Sequence, residues 1–191
     1  MTSLDPAVPH GAAPAEGDGR HVRTGMQLFI VSEAMLFAAF FAAYFYLRGE
    51  TVHWPPQATF ARPELALVSA NTLLLLASSV TLQRAHGGGR TWRRWLGATI
   101  ALGSVFLVIQ GLEYSRNAFT VADGVFGSTF YTLTSFHGAH VAIGLLALAA
   151  MLQRARRGFL APDAAAFAAA SYYWHFVDAV WLFLFTTVYV L

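Results

Sequence analysis

The sequence predicts an all-α membrane protein, a bundle of five helices that each cross the bilayer. Hydrophobic residues make up 57% of the 191 residues and charged residues 12%, against roughly 45–50% and about 25% in a soluble domain. Five apolar runs come close to the roughly 20 residues that cross a bilayer core of about 30 Å. The predicted spans cover residues 25–47, 64–83, 96–114, 126–152 and 167–191.

The residues before the first span predict a disordered cytoplasmic tail. Residues 1–22 are rich in Pro, Gly and Ala and contain few large apolar side chains, so they cannot bury enough apolar surface to fold by themselves. Residues 23–191 then form one membrane domain. Turn-forming residues separate the spans, with GGG at 87–89 marking one hairpin and WPP at 54–56 another.

Arginine predicts the orientation of the bundle. All twelve basic residues are arginines, and basic residues in short loops stay on the cytoplasmic side. Nine lie in the tail or in alternate connections, near 20–23, 84–94 and 154–157, and three lie in the other connections. We therefore expect a cytoplasmic N-terminus and a C-terminus outside. The arginines form no single basic face, so the sequence does not indicate a nucleic acid partner.

Five His, Asp and Glu side chains lie well inside the predicted spans, away from their ends, where hydrocarbon should surround them. They are Glu33, His137, His140, His175 and Asp178. Such groups cost roughly 2.5–3.5 kcal/mol on insertion scales, and they usually face the bundle interior, a partner or a transport path. At a rise of 1.5 Å per helical residue, they fall at comparable depths. We expect them to form one buried polar layer.

Small and polar residues predict the faces along which the helices pack. In lipid, such residues permit close helix approach and hydrogen bonds between helices. The predicted packing positions are Asn71, Ser78 and Ser79 in the second span, Gly103 and Gln110 in the third, and Gly144 in the fourth.

Three functions are open for the polar layer. Metal or haem ligation would use histidines on one helix face, but a di-iron carboxylate site needs two Glu-x-x-His motifs, and the five predicted spans contain none. A proton or ion path through Glu33, as in a small transporter, would need titratable groups leading to both surfaces, and few are present. The residues favour the third function, in which the groups satisfy one another in a rigid bundle or hold a lipid headgroup. The absence of cysteine excludes thiolate ligation.

Five segments in order resemble subunit III of the haem-copper terminal oxidases, in its short five-span bacterial form. They are GMQLFIVSEAMLFAAFFAAYFYLR, ANTLLLLASSVT, QGLEY, FGSTFYTLTSFHGAHVAIG and SYYWHFVDAVWLFLFTTVYVL. The most specific part is FHGAH, followed about thirty residues later by YWHFVD.

This resemblance implies a supporting subunit of a proton-pumping oxidase of the cytochrome c oxidase type, acting in aerobic respiration in the bacterial inner membrane. Haem and copper would belong to the partners, subunits I and II, and this chain would have no catalytic, cofactor-binding or metal-binding residue. A quinol oxidase and a nitric-oxide-reductase-associated homologue are the alternatives within the superfamily. From other classes, a small membrane transporter or an intramembrane His/carboxylate metalloenzyme stays open.

The resemblance also implies site roles. Bound phospholipid, the approach of oxygen to subunit I and proton uptake would involve Glu33, His140, His175 and Asp178, with Glu33 matching a carbodiimide-reactive position. Longer members of the family have two further helices before the first span, and their lipid cleft lies between those two helices and the other five. We expect another subunit or bulk lipid to supply that wall here.

Overall fold

The computed structural model describes residues 16–52, 54, 65–117, 119–161 and 164–191, and within them it is all-helical. The elements are α1 (Glu16–Glu50), α2 (Leu65–His86), α3 (Trp92–Arg116), α4 (Gly124–Arg156) and α5 (Ala165–Leu184), followed by a π-helical turn (Phe185–Val190). Five helices in this part of the chain are long and apolar enough to cross a membrane. The predicted all-α, five-span fold is confirmed.

The helices extend beyond the predicted spans at several ends. The clearest difference is at α1, which begins at Glu16, so residues 16–22 are helical where the composition predicted a tail. Extending an existing helix adds one hydrogen bond per residue without a new nucleation cost, which explains this extension into a polar segment. Residues 1–15 lie outside the described residues, as do Pro55 and Pro56 of the predicted hairpin. At the other predicted hairpin, Gly88 and Gly89 have φ values of 75° and 83°, a conformation that favours glycine.

Helix α5 lies at the centre of the contacts. It packs against α1, α2 and α4, while α3 packs against α2 and α4, and α1 packs against α4 and α5. Because α1 has neighbours on one side only, it turns large apolar side chains such as Leu28, Met35 and Tyr46 outward. Lipid can cover such a face without cost.

The centre of the bundle is aromatic. Trp174 and Trp181 of α5 are fully buried, and their indole N–H groups donate to Ser78 Oγ (3.0 Å) and Thr72 Oγ1 (2.9 Å) of α2. A buried indole needs such an acceptor. These bonds set the positions of α2 and α5 relative to each other.

The five helices alternate in direction, which gives the bundle two distinct ends. At the arginine-rich end, α1, α3 and α5 begin and α2 and α4 end. At the opposite end lie the π-helical turn and the connection between α3 and α4.

Candidate functional site

Glu33 of α1 and His140 of α4 form a contact between two helices. The distance from Glu33 Oε2 to His140 Nε2 is 2.9 Å, and the side chains are 19% and 11% exposed. His140 Nδ1 lies 2.7 Å from the carbonyl oxygen of Phe136, which can only accept, so Nδ1 carries a hydrogen. The hydrogen bond to Glu33 then needs a second proton, held either by the imidazole or by the carboxyl. In either arrangement the pair has no net charge, which suits an apolar environment.

Aromatic rings close off this pair. The ring of Phe37 lies 5.0 Å from the His140 ring, and Tyr173 Oη donates to the backbone oxygen of His140 at 3.2 Å. These contacts join α1, α4 and α5 at one depth. Glu33 and His140 together therefore tie helices to one another.

His175 and Asp178 meet on a different side of the bundle. Both contact Ser79 of α2, whose Oγ lies 2.9 Å from His175 Nδ1 and donates to Asp178 Oδ2. Asp178 is 5% exposed. The predicted single layer is thus present as two separate contacts, one between α1 and α4 and one between α2 and α5. Helix α5 packs against α1, α2 and α4. It therefore touches both helices joined by the Glu33–His140 pair and is itself one of the two helices joined at Ser79.

His137 has an environment unlike that of the other titratable residues. It is 1% exposed, and neither ring nitrogen has a hydrogen-bond partner among the described residues. Its ring lies 4.9 Å from that of Trp181 and 6.1 Å from that of Phe106. His137 therefore contributes an aromatic ring to the core and makes no contact with Glu33 or His175.

The predicted packing residues lie at helix contacts. Asn71 Nδ2 donates to the carbonyl oxygen of Phe106 at 3.2 Å, which joins α2 to α3. A Cβ placed on Gly103 would lie 2.7 Å from Trp174 Cη2, and one placed on Gly144 would lie 2.9 Å from Trp174 Cε3. The two glycines thus make room for one indole between α3 and α4. Ser78 accepts from the same indole.

Sequence reasoning missed a buried carboxyl near the opposite end of the bundle. Glu113 of α3 is 4% exposed. It accepts from Tyr189 Oη at 2.8 Å and from Gln110 Nε2 at 3.2 Å. The available signal was the segment QGLEY, which contains both Gln110 and Glu113. Tyr189 comes from the π-helical turn, and periodicity in a regular helix does not predict that turn.

Two residues of α1 hold the same turn and the residue after it from the other side. Tyr44 Oη donates to the carbonyl oxygen of Thr187 at 2.9 Å, and Arg48 Nη2 donates to that of Leu191 at 2.8 Å. A π-helical turn shifts the hydrogen-bond register of a helix and can leave a carbonyl open to a side chain. Tyr44 and Arg48, one helical turn apart, supply the donors.

The connection that leads into α4 is ordered by its own polar groups. Asp123 accepts from the backbone N–H and the hydroxyl of Thr120. These two bonds hold the pKa of the exposed Asp123 carboxyl below its ordinary value. Gly127 lies so close to the carbonyl of Thr120 that no side chain fits there. The loop is therefore fitted closely to the first turn of α4.

No group of three or more His, Cys, Asp or Glu side chains within the described ranges is placed to hold a metal ion. The titratable residues of the spans lie in separate pairs and small clusters that connect helices. What this arrangement can do is hold the five helices in one relative position.

The comparison with known proteins agrees along almost the whole chain. The family model described as cytochrome c oxidase subunit III matches residues 13–191. The protein named cytochrome c oxidase subunit 3 is 39% identical in Rattus norvegicus, 41% in Salmo salar and 42% in Gadus morhua. Each alignment covers 88% of this chain and 69% of the relative.

Proposed function

Because this chain belongs to the cytochrome c oxidase subunit III family, and is thus a supporting subunit of a haem-copper cytochrome c oxidase, we propose that its own role is structural. Oxygen reduction would take place in partner subunits that carry haem and copper. This subunit would then be non-catalytic within an oxidoreductase complex, and it would stabilise the partners and support oxygen access and proton uptake.

This proposal is supported by the hydrogen bonds that the buried polar side chains form between helices. Glu33 is hydrogen-bonded to His140, Asp178 to Ser79, and Glu113 to Tyr189. In a membrane, each such pair replaces hydration that the two groups cannot have. Groups already paired between helices are poorly suited to bind a redox cofactor, and well suited to keep a bundle rigid.

An apolar groove between α1 and α5 supports the proposal of bound phospholipid. Its volume is about 510 Å³, and its wall on α1 carries Ala34, Ala38 and Phe45. On α5 it is lined by Ala179 and Phe183. The groove begins one residue after Glu33 and runs towards the opposite end. An acyl chain would fit a groove of this volume and apolar character.

We propose that the direct partners are oxidase subunits I and II. With nine arginines at one end, the positive-inside rule supports a cytoplasmic N-terminus and an outer C-terminus. The chain is a multi-pass membrane protein by its five spans. The bacterial inner membrane is the proposed location, on the resemblance to short five-span subunits, and the quinol oxidase alternative would change only the electron donor.

Purification of the tagged chain from its native membrane tests the structural role. We expect it to co-purify in fixed ratio with subunits that carry haem and copper. After selective removal of this subunit, the remaining complex should keep its full haem spectrum and initial oxygen consumption, and it should lose activity faster during turnover. Loss of a stoichiometric metal or haem together with the chain would contradict the proposal.

A further inference from the structure

We propose that a groove between α3 and α4, at the end of the bundle opposite the arginine-rich end, binds the primary ammonium group of a phospholipid headgroup. The groove has a volume of about 620 Å³ and shares no lining residue with the apolar groove between α1 and α5. It is lined by the end of α3, by the connection 117–123 and by α4. The described side chains that line it are four aromatic residues, four Ser or Thr residues, one Asn and one Val, none of them charged.

The groove lies at the depth of the lipid headgroups. Trp95 marks the opposite membrane boundary, since Arg84 lies over its ring. Tyr114 follows Trp95 by 19 residues in α3, or about 28 Å along the axis, which is close to the hydrocarbon thickness of about 30 Å. Tyr114 donates to Thr134 of α4, so Thr134 lies at the same depth. From this level the groove extends outward to the connection 117–123.

The hydroxyl groups of the groove donate their hydrogens to other groups of the chain. Ser115 and Thr132 each donate to a carbonyl oxygen of their own helix at 2.7 Å. Tyr131 donates to the carbonyl oxygen of Phe119 at 2.9 Å. Because a carbonyl oxygen can only accept, the direction of these three bonds is fixed. Each hydroxyl keeps lone pairs and has no further hydrogen to donate.

The hydroxyls of Tyr114 and Thr120 are donors in the same way. Thr134 donates its hydrogen to the carbonyl oxygen of Phe130 at 2.7 Å, so Tyr114 is the donor in its 2.6 Å bond to Thr134. Thr120 donates to the carboxylate of Asp123 at 2.8 Å. Five of the lining hydroxyls can therefore only accept a hydrogen bond from a ligand.

A surface of uncharged acceptors and aromatic rings suits a ligand that donates hydrogen bonds. A phosphate or carboxylate group offers only acceptors, and these five hydroxyls have no hydrogen for it. A primary ammonium group has three donors, and it is also attracted to aromatic ring faces within about 6 Å. The rings of Tyr114 and Tyr131 lie 5.0 Å apart and belong to the same lining as the acceptors. The lining therefore favours an ammonium group over an anion.

The order of polarity along the groove indicates that a lipid carries this ammonium group. Asn117 and Thr120 lie at the connection, whereas Phe136, which is 44% exposed, lies further along α4 towards the hydrocarbon core. A phospholipid has the same order, with a polar headgroup outside its apolar chains. Arg116 is exposed next to Ser115 and is available to the phosphate of the same headgroup. The groove thus fits an ethanolamine headgroup at its natural depth.

Photocrosslinking in lipid nanodiscs tests the ligand. Benzoylphenylalanine replaces Val121, which lines the groove and is 60% exposed. The purified complex is then placed in equal parts of phosphatidylethanolamine, phosphatidylcholine and phosphatidylglycerol. Mass spectrometry should find phosphatidylethanolamine adducts in roughly threefold to tenfold excess over each of the others, as one additional hydrogen bond implies. Phosphatidylcholine is the sharpest comparison, because its quaternary ammonium has no N–H. The matched control is Ile143, 56% exposed on α4, which should form adducts in equal parts.

A lysine in the groove provides a second test, because it supplies an ammonium group from the chain itself. Thr132→Lys, at an exposed position of the lining, should bring the Val121 adducts of the three lipids to equal parts. Val125→Lys is the control. Val125 is 41% exposed near the start of α4 and does not line the groove, so the excess should stay. An excess unchanged by Thr132→Lys would contradict the site.

The remaining outcomes at Val121 also decide the proposal. Equal adducts of the three lipids, an excess of phosphatidylglycerol or phosphatidylcholine, or adducts mainly with another protein subunit would overturn it. None of these results bears on the proposed supporting role, which fails only if the unmodified chain does not co-purify with haem-bearing subunits.

Discussion

Single residues decide how closely these helices approach. Trp174 occupies the space between Gly103 and Gly144, and its N–H is bound by Ser78. A side chain at either glycine would compete with an indole that is already fixed by a hydrogen bond and by burial. Of the glycines in the helices, these two face Trp174, whereas Gly111 faces outward with nothing within 4 Å of its Cβ position.

Gly144→Ala should destabilise the subunit by roughly 1–3 kcal/mol, the range typical of overpacking a core. The added methyl would lie 2.9 Å from Trp174 Cε3, so the indole or α4 has to shift. Thermal unfolding of the purified complex, followed by the tryptophan fluorescence of this subunit, measures the effect. Gly111→Ala is the matched control, and it should be neutral or slightly stabilising because alanine favours helix. Equal melting temperatures would show that Trp174 moves freely.

Glu33→Ala should weaken the α1–α4 contact by roughly 1–3 kcal/mol, because it leaves His140 Nε2 without a partner in a largely buried position. In Glu33→Gln the amide can donate to Nε2, since His140 Nδ1 already carries the ring hydrogen. Retention of the subunit in detergent should therefore fall in the Ala variant and stay near the parent value in the Gln variant.

Oxygen consumption should persist in Glu33→Gln, because the proposed function places the reaction in the partner subunits. Complete loss of activity in an assembled Gln variant with an intact haem spectrum would assign Glu33 a direct part in the reaction.

At the scale of helices and turns, the π-helical turn Phe185–Val190 departs from regular α-helix, and side chains of two other helices support it. Tyr44 of α1 binds the carbonyl oxygen of Thr187 within it, and Arg48 binds that of Leu191 just after it. Tyr189 within the turn reaches Glu113 of α3. The turn thus links two helices that are not sequence neighbours. An ordinary α-helical ending would place Tyr189 at a different angle around the axis.

Tyr44→Phe should loosen this turn without altering the rest of the bundle. It removes one buried hydrogen bond, worth roughly 0.5–1.5 kcal/mol, and leaves the ring in place. Hydrogen–deuterium exchange of the complex should show faster exchange in residues 185–190 and unchanged exchange in α2. Tyr46→Phe, at a residue 67% exposed, should exchange like the parent. Faster exchange in Tyr46→Phe as well would point to a general effect on α1.

At the scale of the whole molecule, the predicted orientation in the membrane rests on the unequal charge of the two ends. The arginine-rich end contains the α2–α3 hairpin, where Arg84 lies over the Trp95 ring at 5.0 Å. An interfacial tryptophan beside a cation is typical of a membrane boundary. The opposite end carries the Thr120–Asp123 loop.

Cysteine accessibility tests this orientation directly, because the chain contains no cysteine of its own. Arg90→Cys and Val121→Cys each place one thiol in an exposed position, at opposite ends of the bundle. An impermeant thiol reagent added to intact cells should label Val121→Cys at once and Arg90→Cys only after permeabilisation. The reverse pattern would invert the predicted topology.

Local composition and periodicity were sufficient to predict the five spans and the Gly87–Gly89 hairpin. The same patterns predicted packing faces that carry Asn71, Ser78 and Gly144. These features depend on how each segment partitions into lipid and on which side chains share a helix face, and both can be read along the chain. The same reasoning marked Glu33, His140, His175 and Asp178 as residues that need partners, since a titratable group in hydrocarbon requires one.

Which partner each residue finds was decided only by the tertiary structure. Depth along a helix predicted one shared layer, but the direction in which each helix turns its side chains pairs Glu33 with His140, brings Asp178 to Ser79 and leaves His137 among aromatic rings. Glu113, Tyr189 and Tyr44 meet because a π-helical turn changes the angle of the last residues. Rotation about each helix axis is set by packing against its neighbours, such as Trp174 between two glycines, and a single span does not contain that information.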